Sequence, residues 1–299
     1  MKIILVVTDS KRKNLVFVSD KLEVFSLDEA VRLAKEGKIE GVHVVKRSTG
    51  SYIRTDKRIP KSQELEKISI SSFKLFNFIN DVEAKLSEPL ANYLKLYRER
   101  LDAAEAPFIQ LNWWQVVAKE RLEKELQANK DHIFQATKRF NIDPYLLGAI
   151  LIDEIARMAP IERLLEPIAI DRVGKNASLG IAQIKVETAR DLIMAGYYNP
   201  NIDDPELSKD RIIDTPKTYI AKYVVDKKHN IFLAAARIRY LIDKWKVAID
   251  ISSRLEIIAT LYSLNDSEKK PHADPHSNKR GSKIINEFYQ LSKKYLDSI

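Results

Sequence analysis

The chain contains no cysteine, which excludes disulfides and thiolate metal sites and leaves the redox compartment open. Glycine and proline are scarce, at 8 and 11 of 299 residues. Their scarcity argues against a many-turned β architecture, and the abundance of Leu, Ile, Lys, Glu and Ala argues for helices. Of the five histidines, His272 and His276 have the i, i+4 spacing of a helical metal pair. They lie in "KKPHADPHSNKRG", where two prolines oppose a helix, so the expectation there is a solvated loop and no metal site. No apolar run approaches the ~18 residues of a membrane span. The opening apolar run of five residues is too short for a signal-peptide core. Neither a membrane span nor an export signal is expected, and any route to an extracytoplasmic target is left open.

A content of 45% hydrophobic and 31% charged residues is that of an ordinary globular protein. The length allows two domains, or one large domain with an appendage. The net charge of +8 is unevenly spread: residues 1–61 hold 14 Lys and Arg against 8 Asp and Glu. Lys11, Arg12, Lys13, Lys46, Arg47, Arg54, Lys57 and Arg58, with Tyr52 available to stack, would suit an anionic polymer. Nucleic acid, anionic lipid and a cell-wall polymer all fit such a surface, and so does a plain solvated basic face.

Residues 1–61 read as a small ββαββ module. "MKIILVVTD" and "NLVFVSD" are β-branched runs bounded by turn residues. Ser26, with Glu29 three residues on, opens a helix that Gly37 stops, and "GVHVVKRSTGSYIRTD" reads as a hairpin turning at Thr49 and Gly50. The segment resembles a small bacterial domain of unknown function, through its short helix, its "EG" stop and the "GSYIR" strand from Gly50 to Arg54. The resemblance implies no chemistry. Pro60 and "KSQELEK" mark a boundary. Residues 62–130 then read as a helical linker or extension, with Trp113 and Trp114 on a helix and one of them facing the core. Residues 131–299 read as the last domain.

In "NIDPYLLGAILIDEIARM", Asp143 suits an N-cap and Pro144 the first helical position. Leu147, Ile150, Leu151, Glu154 and Met158 then share one face. Asp153 points about 100° away and reads as a solvated neighbour. A carboxyl group on an apolar stripe resists ionisation and can hold a proton for general acid catalysis. An ion pair with a nearby Arg or Lys is the competing reading of Glu154.

Four blocks in order, "LLGAILIDEI", "SLGIAQIKVETARDL", "HNIFLAAARIRYLIDKW" and "LEIIATLYSLN", resemble the lytic transglycosylase and goose-type lysozyme superfamily over residues ~140–265. The resemblance implies a mainly α chain in which a lysozyme-like helical catalytic domain follows the small α/β module. It makes Glu154 the catalytic acid and places Ser178, Gly180, Gln183, Tyr262 and Ser263 at the substrate. Tyr262 would support the acid, and Asn230 would open and N-cap a buttressing helix. Three positions depart from the family: Ile155 stands for a serine, Ala182 for a methionine and Ser263 for an asparagine. The implied substrate is the peptidoglycan glycan strand, cleaved at the β-1,4 bond between N-acetylmuramic acid and N-acetylglucosamine without a cofactor. In the transglycosylase form the glutamate acts first as acid and then as base, while the muramyl 6-hydroxyl closes on the anomeric carbon. Hydrolysis would want a second carboxylate. Asp171 is the candidate, though an ion pair with Arg172 or Lys175 explains it equally. A non-catalytic glycan-binding or interaction protein on the same scaffold is the alternative function.

Two helices near the C-terminus read as scaffold. Ser253 and Glu256 form a capping-box pattern ahead of Ile257, Leu261 and Leu264, and Ile284, Phe288 and Leu291 line one side of the last helix.

Overall fold

The structure is a computed structural model that describes the chain except residues 49, 81–84, 159, 162–163, 165–167, 169–177, 265–269 and 299. The side chains of residues 77, 79 and 80 are also outside the description. Thr49, expected at a hairpin turn, and Asp171, Arg172 and Lys175 therefore lie outside the described residues. The chain is mainly helical with a small α/β part. It packs as two compact units: Met1–Val116 with Met158–Ala169, and Val117–Arg157 with Ile170–Ile299.

In the first unit, strands β1 (Ile3–Thr8), β2 (Asn14–Ser19) and β3 (Val24–Ser26) run antiparallel. They precede α1 (Leu27–Lys35) and the hairpin β4 (Val42–Arg47) and β5 (Gly50–Thr55). The apolar runs of β1 and β2 follow from burial on both faces. Leu5, Val7, Val16 and Val18 face one core, and Val6 and Phe17 face the other with Ala30, Leu33 and Ile53. A strand covered on both sides has no polar face to alternate with. The expected box at the start of α1 is present: Ser26 Oγ accepts from the Glu29 N–H, and Glu29 Oε2 accepts from the Ser26 N–H at 2.8 Å.

The unit runs on past Pro60, where composition marks a boundary. Strand β6 (Ser69–Ser71) pairs in parallel with β1, Ile70 opposite Val7, giving the sheet order β3-β2-β1-β6. Helices α2 (Ser72–Asn80) and α3 (Glu88–Ala103) bring Leu75, Leu90, Tyr93 and Leu94 onto the first core. Ile161, Leu164 and Ile168 join the same core, and the Tyr93 hydroxyl donates to the Pro160 carbonyl at 2.7 Å.

The two tryptophans are on a turn, not a helix. Asn112 Oδ1 accepts from the N–H groups of Trp114 and Gln115 at 3.1 and 2.8 Å, between β7 (Phe108–Gln110) and β8 (Val116–Ala118). The asparagine offers these amides an acceptor that a helix would otherwise supply. Trp114 packs on Phe78 with ring centroids 4.8 Å apart, while Trp113 is 60% exposed.

The second unit is a helical assembly of α4 (Lys119–Ala128), α5 (Lys130–Phe140), α6 (Pro144–Met158), α7 (Val186–Met194), α8 (Lys217–Val224), α9 (Lys227–Trp245) and α10 (Leu255–Ser263). A two-stranded turn of β9 (Ser178–Leu179) and β10 (Ile184–Lys185) precedes α7. The C-terminal helix comprises α11 (Lys279–Lys283), a π-helical turn (Ile284–Phe288) and α12 (Tyr289–Asp297). Helix α9 is central: Ile231, Leu233, Ala234, Ala235, Ala236 and Ile238 are all fully buried. A helix apolar on most sides has neighbours on most sides.

Three local expectations are corrected. Helix α9 begins at Lys227 with Asp226 as its N-cap, accepting from the His229 N–H, so Asn230 lies inside the first turn instead of capping it. Helix α10 begins at Leu255 after Arg254, and the Ser253–Glu256 pattern forms no capping box. Past the π turn the buried face of the last helix passes to Ser292, Tyr295 and Leu296, leaving Leu291 only half-buried.

Candidate active site

Helix α6 starts as expected, with Asp143 Oδ1 accepting from the N–H groups of Tyr145 and Leu146 at 2.7 and 3.1 Å. From Leu146 through Asp153 every residue is buried. Gly148 is where the helix presses against α12: a Cβ there would sit 2.1 Å from Ser292 Oγ.

The paired carboxylates near the end of α6 are thus both enclosed. Asp153, expected on a solvated side, is 0% exposed, because α6 has almost no solvent side to offer. Its Oδ2 receives Arg157 Nε at 3.0 Å, Arg280 Nε at 2.7 Å and Arg280 Nη2 at 2.6 Å. Glu154 is the slightly open member: its side chain is 12% exposed, and Oε1 receives Arg280 Nη2 at 2.7 Å. Burial raises the Glu154 pKa above the ordinary carboxylate value; the Arg280 charge opposes this rise and Asp153 adds to it. Burial works against the Arg280 charge, yet the two carboxylates together hold that guanidinium more firmly protonated than usual.

Arg280 arrives from α11 through a local lock. Asn278 caps the helix, its Oδ1 accepting from the Gly281 N–H at 2.7 Å. The Asn278 N–H donates to Thr260 Oγ1 on α10 at 3.1 Å. A Cβ on Gly281 would lie 2.0 Å from Thr260 Oγ1 and 2.6 Å from the Glu256 carbonyl oxygen. Only hydrogen at that position allows α11 to lie this close to α10.

Tyr262, on α10, is 2% exposed, and its hydroxyl donates to the Ala182 carbonyl at 2.9 Å. Arg237, from α9, lies over the Tyr262 ring at 4.4 Å and donates to the Tyr262 carbonyl at 2.8 Å. Burial raises the Tyr262 pKa, with the Glu154 charge pushing the same way and Arg237 opposing it.

The turn at 180–183 is organised by Asn230. Its Oδ1 accepts from the Ala182 N–H at 2.8 Å, and its Nδ2 donates to the carbonyls of Leu179 and Val224 at 2.9 and 2.8 Å. Gly180 has φ +69°, and a Cβ there would stand 2.4 Å from the Asn230 side-chain carbon. The glycine is required by the asparagine behind it. Gln183, at φ +50°, turns its amide back to the Gly180 carbonyl, with Nε2 to O at 2.7 Å. Ser178 is half-buried opposite Lys185, and Ser263 Oγ donates to the Thr260 carbonyl at 2.7 Å.

The Glu154 charge helps raise the Tyr262 pKa, and Tyr262, Gly180, Gln183 and Asn230 meet through hydrogen bonds around one turn. Ser178 and Ser263 make other bonds beside them, and Asp171 lies outside the described residues. Arg280, Arg157, Arg237 and the burial of Asp153 were not anticipated. A signal existed for Arg237, which lies seven residues after Asn230 and so on the same helical face. Asn278 with Gly281 was a readable cap ahead of the last helix. His272 and His276 occupy non-helical chain, His272 against the Trp245 ring at 5.2 Å and His276 beside Asp274 at 3.2 Å. Among the described residues no group of three or more His, Cys, Asp or Glu side chains gathers as a metal-ligand set, and no helix is long and apolar enough to cross a membrane. Neither the protein-family models nor the curated proteins compared with the chain give a match.

Proposed function

We propose that the second unit is a lysozyme-like peptidoglycan lytic enzyme that cleaves the β-1,4 bond between N-acetylmuramic acid and N-acetylglucosamine as a lytic transglycosylase. Glu154 is its acid and base. The observation that carries this reading is the placement of Glu154 near the end of an apolar helix, at 12% exposure with a raised pKa, its charge also raising the pKa of Tyr262, whose hydroxyl holds the Gly180–Gln183 turn. A carboxyl group whose burial raises its pKa holds its proton to higher pH than an ordinary carboxylate and can pass it to the leaving glycosidic oxygen. The carboxylate left behind then removes the proton of the muramyl 6-hydroxyl as that oxygen closes on the anomeric carbon. No protein nucleophile is needed. The basic residues of the first unit, Arg47, Arg54 and Lys46 among them, are exposed, as contact with an anionic polymer requires and as a plain solvated basic face does too.

Replacing Glu154 with Gln removes the transferable proton and keeps the shape. Glu154→Gln is expected to lower release of soluble muropeptides from purified peptidoglycan by about 10²-fold or more, with an unchanged far-UV circular dichroism spectrum. Release at the wild-type rate would remove Glu154 from the mechanism. Mass analysis of the products separates 1,6-anhydromuramyl ends, left by transglycosylation, from the reducing ends left by hydrolysis.

A second reading, a glycan-binding protein without activity, has its own observations. Arg280 occupies Glu154, and the side-chain nitrogen of Gln183 and the hydroxyl of Ser263 donate to their own backbone neighbours. Retention on insoluble peptidoglycan by the wild type, with no product released, would select it.

A further inference from the structure

Arg280 does not treat its two carboxylates alike. Its Nε and Nη2 both reach Asp153, at 2.7 and 2.6 Å, and Nη2 alone reaches Glu154, at 2.7 Å. Asp153 is sealed at 0% exposure, while Glu154 retains 12%. Asp153 Oδ1 accepts no hydrogen bond among the described residues, so this carboxylate still has a free acceptor where the guanidinium can settle. The arginine cannot drift far along α11, because Asn278 and Gly281 fix it against Thr260 on α10.

We propose that Arg280 is a positioning residue that alternates between holding both carboxylates and holding Asp153 alone, and that Asp153 is the anchor that keeps it in the site while Glu154 carries a proton. This rests on the lytic reading of Glu154. In the acid step the Glu154 proton passes to the glycosidic oxygen as the bond from that oxygen to the anomeric carbon breaks. The new carboxylate is taken up by Nη2 of the anchored arginine. In the closing step the 6-hydroxyl oxygen bonds to the anomeric carbon, its proton returns to Glu154, and Nη2 withdraws to Asp153. The charged and titratable groups facing Glu154 among the described residues are Asp153 and Arg157 on α6, Arg237 on α9, Tyr262 on α10 and Arg280 on α11.

The test is carboxyl ¹³C NMR on the full chain, labelled at Glu and Asp, with the Glu154 signal identified by its loss in Glu154→Gln. Arg280→Gln is expected to move the Glu154 titration to higher pH. Asp153→Asn, which gives Glu154 sole possession of the arginine, is expected to move it to lower pH. Arg280→Lys retains a cation without the fork, so its titration is expected between those of the wild type and Arg280→Gln. Circular dichroism checks each fold, and Arg280→Lys carries the test if Asp153→Asn does not fold. A Glu154 titration that ignores Arg280→Gln and Arg280→Lys, or that Asp153→Asn raises, overturns the proposal. The pH profile of muropeptide release separates it from the lytic reading. Titrations that move as stated, with no product from the wild type, leave the positioning role and remove the activity. Product release whose pH profile is the same in wild type and variants does the reverse.

Discussion

At Glu154 two influences compete: burial disfavours the charge and Arg280 favours it. Burial is the larger, so the folded carboxyl binds its proton more tightly than the unfolded one, whose value is 4.5. Between 4.5 and the raised folded value the folded state therefore carries more protons than the unfolded state. By linkage, the contribution of this group to stability falls as pH rises through that window and is most favourable at and below its lower edge. Glutamine does not titrate and lacks this slope. The stability of the wild type relative to Glu154→Gln should therefore decrease as pH is raised from 4.5, as read from urea midpoints at fixed ionic strength. If the wild type instead gains on the variant over that range, the arginine outweighs burial and Glu154 is held ionised. That result would count against its use as an acid. The burial of this residue was legible from its place on an apolar face. Its arginine was not, because Arg280 lies 126 residues away in sequence.

Among the elements, α11 is five residues long and yet fixes the electrostatics of the site. Its position depends on the close crossing at Gly281, where backbone atoms of Glu256 and Thr260 bound the space within 2.6 and 2.7 Å of where a Cβ would stand. Backbone cannot rotate aside as a side chain tip can, so a methyl group must push the two helices apart. Gly281→Ala is expected to destabilise the protein by about 1–3 kcal/mol despite the better helix propensity of alanine. It should also release Arg280 from Asp153. Urea unfolding measures the first effect, and the Glu154 carboxyl titration, shifted upward as in Arg280→Gln, measures the second. Equal or greater stability would mean that the helices separate without cost. Helix starts were legible where a side chain meets its own neighbouring backbone, as at Ser26 and Asp143. The pattern at Ser253 and Glu256 misled because α10 begins two residues later, at Leu255. The solvated reading of Asp153 failed because a helical wheel assumes one wet face, and "LLGAILI" contains no residue suited to one.

On the scale of the whole molecule, the path of the chain is what local pattern could not show. Strand β6 is three residues, Ser-Ile-Ser, paired with a strand some sixty positions earlier, and nothing in its own sequence separates it from a loop. The first unit likewise draws on a segment, Met158–Ala169, that follows most of α6. Ile161, Leu164 and Ile168 from that segment are at most 1% exposed in the core shared with Leu5, Val7, Leu90 and Tyr93. Burying each such side chain is worth about 1.5–3 kcal/mol, so together they contribute on the order of 5 kcal/mol or more, comparable with the whole stability of a small domain. A fragment ending at Val116 lacks all three and should therefore be far less stable than the same residues in the full chain. The companion substitution Leu164→Ala in the intact protein is expected to cost about 2–5 kcal/mol. Hydrogen exchange at the amides of β1 and β2 reads both, since these strands form the middle of the sheet and exchange only when it opens. Protection in the fragment equal to that in the full chain would show that the first unit folds without residues 158–169. Loss of protection in the fragment, together with a Leu164→Ala effect confined to β1, β2 and α3, is the outcome expected of a unit completed by its return segment.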